Sequence, residues 1–175
     1  DSNYVNVTFD DVRGKSGGKT FHDDFSDAAK STFSLGGSYT SNGVYHIISS
    51  PNVTVWQNPL PRADTAVQHF RMHVDSTIVG GDPQKIAYGL IFGDTGDFGY
   101  TMVLVSGSGM LSVVRNDSSG NSQQYIQPIQ LESVTPGLNH TASIDLTLIN
   151  NELSITVNKT NLGTLQLDNA PTGSV

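Results

Sequence analysis

Two pairs of adjacent aspartates, Asp10-Asp11 and Asp23-Asp24, with Asp27 close behind, carry the densest carboxylate chemistry in the sequence. Carboxylate oxygens in that number suit a hard cation, because Ca2+ takes six to eight oxygen ligands. If the two segments lie side by side, Asp10, Asp11, Asp23, Asp24 and Asp27 could hold a structural Ca2+ together with loop carbonyls. The bland reading is that they cap turns, since an aspartate accepts hydrogen bonds from backbone amides just downstream. Asp94 and Asp97 read as hairpin-turn residues.

Hydrolysis of a glycoside needs two facing carboxylates roughly 5–9.5 Å apart. Only two glutamates exist, Glu132 and Glu152, and no Glu-x-Asp-x-Glu run supplies that spacing. No serine sits in a nucleophile-elbow pattern, and no Gly-rich loop opens a helix to cradle phosphate. With no cysteine, thiolate metal sites and disulfides are excluded. His69, Arg71 and His73 alternate along one strand face. Four residues of strand separate the two rings by about 13 Å, too far to share a zinc ion. They read as an outward polar face, and the chain is read as having no enzymatic activity.

Two further features concern sugars. Trp56, the lone tryptophan, falls on the phase opposite Val53 and Val55 and could stack on a sugar ring or sit under a loop. Asn6, Asn52, Asn116, Asn139 and Asn158 each open an Asn-x-Ser/Thr sequon, the acceptor pattern for N-linked glycans. Asn6 and Asn158 take the outward phase of their strands, whereas Asn116 and Asn139 fall in turns.

The elements that must position these residues are strands. Period-two alternation dominates, and no window shows the spacing of an amphipathic helix. Ser143–Leu148 and Glu152–Val157 flank Asn150-Asn151 and read as a hairpin, with Ile144, Leu146, Leu148, Leu153, Ile155 and Val157 inward. A second hairpin is expected from Ile86–Phe92 and Phe98–Val105, followed by Met110–Arg115. Further strands are expected at Val44–Ile48, Val53–Gln57, Val67–Asp75, Tyr125–Gln127 and Gly163–Leu167, with one helical turn near Ser26–Lys30. Many short strands joined by Gly, Asn and Pro turns imply an all-β sandwich.

Composition narrows the function. The net charge is −7 with nine Lys and Arg, which excludes phosphate neutralisation along nucleic acid. No apolar run is long enough for a membrane span. A chain that starts at Asp1 rather than Met fits removal of a signal peptide, so an extracellular or cell-surface location is expected.

From Phe21 onward the chain resembles the concanavalin A-like jelly-roll sandwiches of secreted proteins. The resemblance rests on Phe21-His22-Asp23-Asp24-Phe25-Ser26-Asp27, on Gly43-Val44-Tyr45-His46-Ile47, and on Tyr88-Gly89-Leu90-Ile91-Phe92 with Asp94, Asp97, Phe98 and Tyr100. Leu153–Val157 followed by Gly163 completes it. It implies a two-sheet antiparallel jelly-roll sandwich and specifies fold better than function. Members of that family continue past the Ala170–Val175 region into two more strands. Here Val5-Asn6-Val7-Thr8-Phe9-Asp10-Asp11-Val12, at the other end, looks like the last of those.

The chain is therefore divided into a detached N-terminal strand (1–13), a flexible linker (14–19) and a sandwich domain (20–175). Two arrangements satisfy the alternating Val5, Val7 and Phe9, preceded by Tyr4. The strand can fold back and close its own sandwich, leaving a monomeric carbohydrate-binding module. Alternatively, it can fill the open groove of an identical subunit, which propagates into a filament. The displaced strand favours the second, giving a glycosylated structural subunit whose partners are its own copies.

Overall fold

In the computed structural model, described for residues 4–16, 18–31, 33, 37–39, 43–50, 53, 55, 69–93 and 99–168, the chain is almost entirely strand. The strands are β1 (Val5–Ser16), β2 (Lys19–Asp23), β3 (Gly37–Tyr39), β4 (Tyr45–Ser49), β5 (His69–Gly80) and β6 (Ala87–Phe92). There follow β7 (Tyr100–Ser106), β8 (Met110–Asn116), β9 (Ser122–Gln130), β10 (Thr141–Ile149), β11 (Glu152–Val157) and β12 (Thr160–Gln166). A short 3-10 turn, Pro83–Lys85, precedes β6 and is capped by Asp82, whose side chain accepts from the Gln84 amide.

Two antiparallel sheets result. The larger runs β12-β11-β10-β5-β1-β4-β3, with β2 pairing β1 beside this path; the smaller runs β6-β7-β8-β9. Alternation dictates what lies between them. Phe70, Met72, Val74 and Ile78 of β5, and Ile144, Leu146 and Leu148 of β10, face Tyr88, Leu90, Phe92, Val103, Val105, Leu111 and Val113. Burying each such side chain stabilises the fold by roughly 1.5–3 kcal/mol. The Phe70 and Phe92 rings meet across the layer at 5.0 Å. The expected hairpin of β10 and β11 turns at Asn150-Asn151, where Asn150 takes φ 57° and Ile149 pairs with Glu152.

The N-terminal strand corrects the sequence-based division. It is not detached: it pairs within its own chain. β1 lies inside the larger sheet, with Val7 opposite Ile78 of β5 on one side and Ile47 of β4 on the other. Val7 is buried, and Val5 and Phe9 pack against the same core. Tyr4 remains half-exposed, its ring lying over Gly80. Residues 14–16 are strand rather than linker: Gly14 pairs with Phe21 of β2 and Met72 of β5. A Cβ on Gly14 would stand 2.5 Å from the Phe21 ring, so this glycine admits a cross-strand aromatic rather than adding flexibility. Self-closure is what the structure holds.

The DDFSD segment packs through aromatics. Phe25, at φ 54° and 1% exposed, stacks on Tyr45 at 5.3 Å and meets Phe33 edge-on at 5.3 Å. Positive φ is costly for a bulky residue, and the two ring contacts together with an Asp23 cap hold it there. Between the sheets beside β6 an apolar cavity of about 430 Å³ remains, lined by Val5, Val7, Phe9, Met72 and Leu90 among others.

Candidate functional site

The outward face of the larger sheet is where the described polar chemistry collects. Inward positions of β5 and β10 are even-numbered, which turns the odd-numbered side chains out. Strand register then builds two rows across the sheet. One runs Thr156, Asp145, His73, Arg13; the other runs Thr164, Ser154, Thr147, Arg71, Lys15. Directly opposite residues on adjacent strands lie about 4.5–5.5 Å apart, so each row presents donors and acceptors at regular spacing.

At the centre of the first row the side chains interlock. His73 Nδ1 lies 2.8 Å from Asp145 Oδ1, and the Ser143 hydroxyl bonds Asp75. His22 Nε2 lies 2.8 Å from Asp11 Oδ1. Asp11 reaches this group because β1 bulges between Asp10 and Arg13, with Asp11 itself at φ 46°. Bulges re-aim side chains in this way.

The proposed Ca2+ ligands do not converge. Asp23 accepts from the Phe25 amide at 2.9 Å and from the Ser31 hydroxyl. Asp24 accepts from the Ser26 amide and hydroxyl at 3.1 and 2.7 Å, bonds that hold its carboxyl below the usual range. Asp27 caps Ala29 at 3.0 Å and pairs with Lys30, closing a turn rather than a helix. Asp10 accepts from the Asp11 amide at 2.8 Å. Of the five, Asp11 alone belongs to a potential metal-ligating group among the described residues, and its companions are His73 and Asp75. Turn capping consumed the others because short Asp-x-x spacings match backbone amides better than an ion.

The sequons differ in surroundings. Asn139 is exposed in a turn at φ 62°, its amide donating to Ile78 O at 2.8 Å. Asn116 is the last residue of β8 rather than a turn residue, and it accepts from the Ser122 hydroxyl at 2.8 Å. Asp117 organises the loop beyond: bonds from the Asn121 side chain and amide, and from the Ser119 amide, hold its carboxyl below the usual range. Asn6 faces outward on β1 but is half-buried, 3.0 Å from His46 Nδ1. Asn158 is a correction. It is a turn residue at φ 48° rather than an outward strand residue. Its Oδ1 accepts from Ser143 N at 2.8 Å, and its Nδ2, the atom a glycan would occupy, donates to Ser133 O. Asn52, Trp56, Asp94 and Asp97 lie outside the described residues.

No protein-family model matches the chain. No curated protein matches it either. Among solved structures, the carbohydrate binding module CBM66 from Bacillus subtilis superposes with a TM-score of 0.51. The match covers 67% of this chain and 67% of that one at 13% identity. Sheep galectin-11, in a complex with glycerol, aligns with a TM-score of 0.48 over 69% of this chain and 88% of its own, at 11% identity. The chain is similar to the CBM66 module in its β-sandwich fold. No helix among the described residues is long and apolar enough to cross a membrane.

Proposed function

We propose that the protein is a non-catalytic carbohydrate-binding module, working outside the cell, whose binding surface is the outward face of the larger sheet. The observation that carries this reading is the pair of cross-strand rows. Thr164, Ser154, Thr147, Arg71 and Lys15 line up from β12 to β1, giving hydroxyl and guanidinium groups matched to the repeating hydroxyls of a glycan. Sugar sites combine a few oriented polar groups with a platform, and the rigid strands supply the orientation. The fold similarity to a carbohydrate binding module supports the class, and Trp56 is offered as the stacking platform. Glycan attachment at Asn139 or Asn116 would leave the binding face free.

Glycan-array screening of the full chain, followed by titration of the best ligand, tests the proposal. Arg71→Ala and Thr147→Ala should each weaken binding at least tenfold while leaving the thermal midpoint within a few degrees. Quenching of the single tryptophan on titration would support the stacking role. Absence of any glycan ligand at millimolar concentration, or unaltered affinity in both variants, would contradict the reading.

A further inference from the structure

Two buried side-chain atoms among the described residues make no hydrogen bond: Ser76 Oγ and His73 Nε2. Ser76 faces the apolar interior. His73 faces carboxylates. Its side chain is 13% exposed, and Nε2 lies 3.4 Å from Asp75 Oδ1 and 3.6 Å from Asp11 Oδ2. On its other side Nδ1 meets Asp145 Oδ1 at 2.8 Å. An ionised carboxylate only accepts, so Nδ1 carries a hydrogen there. With Nδ1 engaged, Nε2 is the ring atom directed at the two carboxylate oxygens, and no hydrogen bond occupies it.

We infer that Asp11, His73 and Asp75 form a binding site for a divalent transition cation of the zinc type. Tetrahedral bonds of 2.0–2.2 Å place ligand atoms about 3.4 Å apart, and both separations from Nε2 fit such an edge. The ligand atoms of all three residues lie within 4.8 Å of one another. A set with one imidazole and few oxygens suits zinc, whereas Ca2+ wants more oxygens at longer range. Two of the three ligands are also held from behind, as metal ligands commonly are. Asp145 fixes the His73 ring, and His22 holds Asp11 Oδ1 so that Oδ2 points inward; the Ser143 hydroxyl bonds Asp75 Oδ1, the oxygen that faces Nε2. Arg13 Nη2 approaches Asp11 Oδ2 at 3.6 Å, but its side chain is 56% exposed and can withdraw to solvent. The ion would pin the β1 bulge to β5. The inference does not depend on carbohydrate binding.

Zn2+ itself is the probe, added to the full chain. Calorimetry should show one equivalent bound. At a hundredfold excess over the dissociation constant the thermal midpoint should rise by roughly 5–10 °C. Co2+ in place of Zn2+ should give the intense visible bands of tetrahedral coordination. His73→Gln and Asp75→Asn should abolish both effects, Asp145→Asn should weaken affinity about 10–100-fold, and His69→Gln should leave it unchanged. No Zn2+ binding at millimolar concentration by the unmodified chain would overturn the inference. Full binding by His73→Gln, or preference for Ca2+, would overturn it equally.

Discussion

Strands β1 and β9 have similar polar-apolar composition and opposite situations. β1 is paired on both sides, by β5 and by β4 and β2, and seats Val7 and Val12 in the core. β9 pairs only with β8 among the described residues, and seven of its nine positions are exposed. It carries Pro128, and its register with β8 shifts twice. Proline and irregular register are common ways of blunting a sheet edge against other chains. The strand that looks free in sequence is central, and the strand that looks ordinary is an edge. Position in the sheet, rather than position in the chain, decides which backbone is available to a partner.

Removing residues 1–13 tests this contrast most severely. A central strand cannot be lost without exposing the core on both flanks, so cooperative unfolding should disappear in calorimetry. A truncated chain that stays folded and captures the excised peptide would reverse the assignment. Val7→Asp is next: burying a carboxylate opposite Ile78 and Ile47 should cost at least about 3 kcal/mol, read from urea denaturation. The corresponding charge at exposed Ile129 of β9 should cost well under half of that.

A smaller effect comes from Tyr88, which is 6% exposed and shares the cavity lining with Val5 and Val7. Burial pushes its phenol up to about 12 from an ordinary value of 10.0. The folded state thus keeps the proton longer than the unfolded state, so stability is intact below pH 10 and falls as pH rises toward 12. The loss is on the order of 2 kcal/mol. Tyr88→Phe should flatten that part of the pH–stability curve relative to the unmodified chain. If the two curves run parallel, β1 does not seal the interior around this residue. At the low end, Gln127→Ala on β9 should change stability by less than about 0.5 kcal/mol.

Much of the architecture was legible because alternation is enforced by burial. Ile144 to Leu148 and Leu153 to Val157 could face only one way, and the Asn150-Asn151 turn followed from tolerance of positive φ. Gly14 misled for a physical reason. Glycine signals flexibility in a linker and close approach in a sheet, and only the Phe21 ring above it distinguishes the two. β5 runs to Gly80, beyond the expected end at Asp75, because Thr77 to Gly80 continue the same alternation. The cluster around His73 was invisible for a different reason. Its members come from β1, β2, β5 and β10, and strand register together with a bulge at Asp11 brings them together. Local spacing along β5 brings out only His69 and His73, which lie four residues apart on one face.

Amide hydrogen exchange at high dilution, where any assembly has dissociated, tests the central placement of β1 most directly. The account expects the amides of β1 that bond to β4 and β5 to be protected as strongly as those of β5 itself, at every concentration. Rapid exchange of β1 in the dilute sample, with protection returning only as the protein is concentrated, would show that the strand belongs to a neighbour and contradict the account.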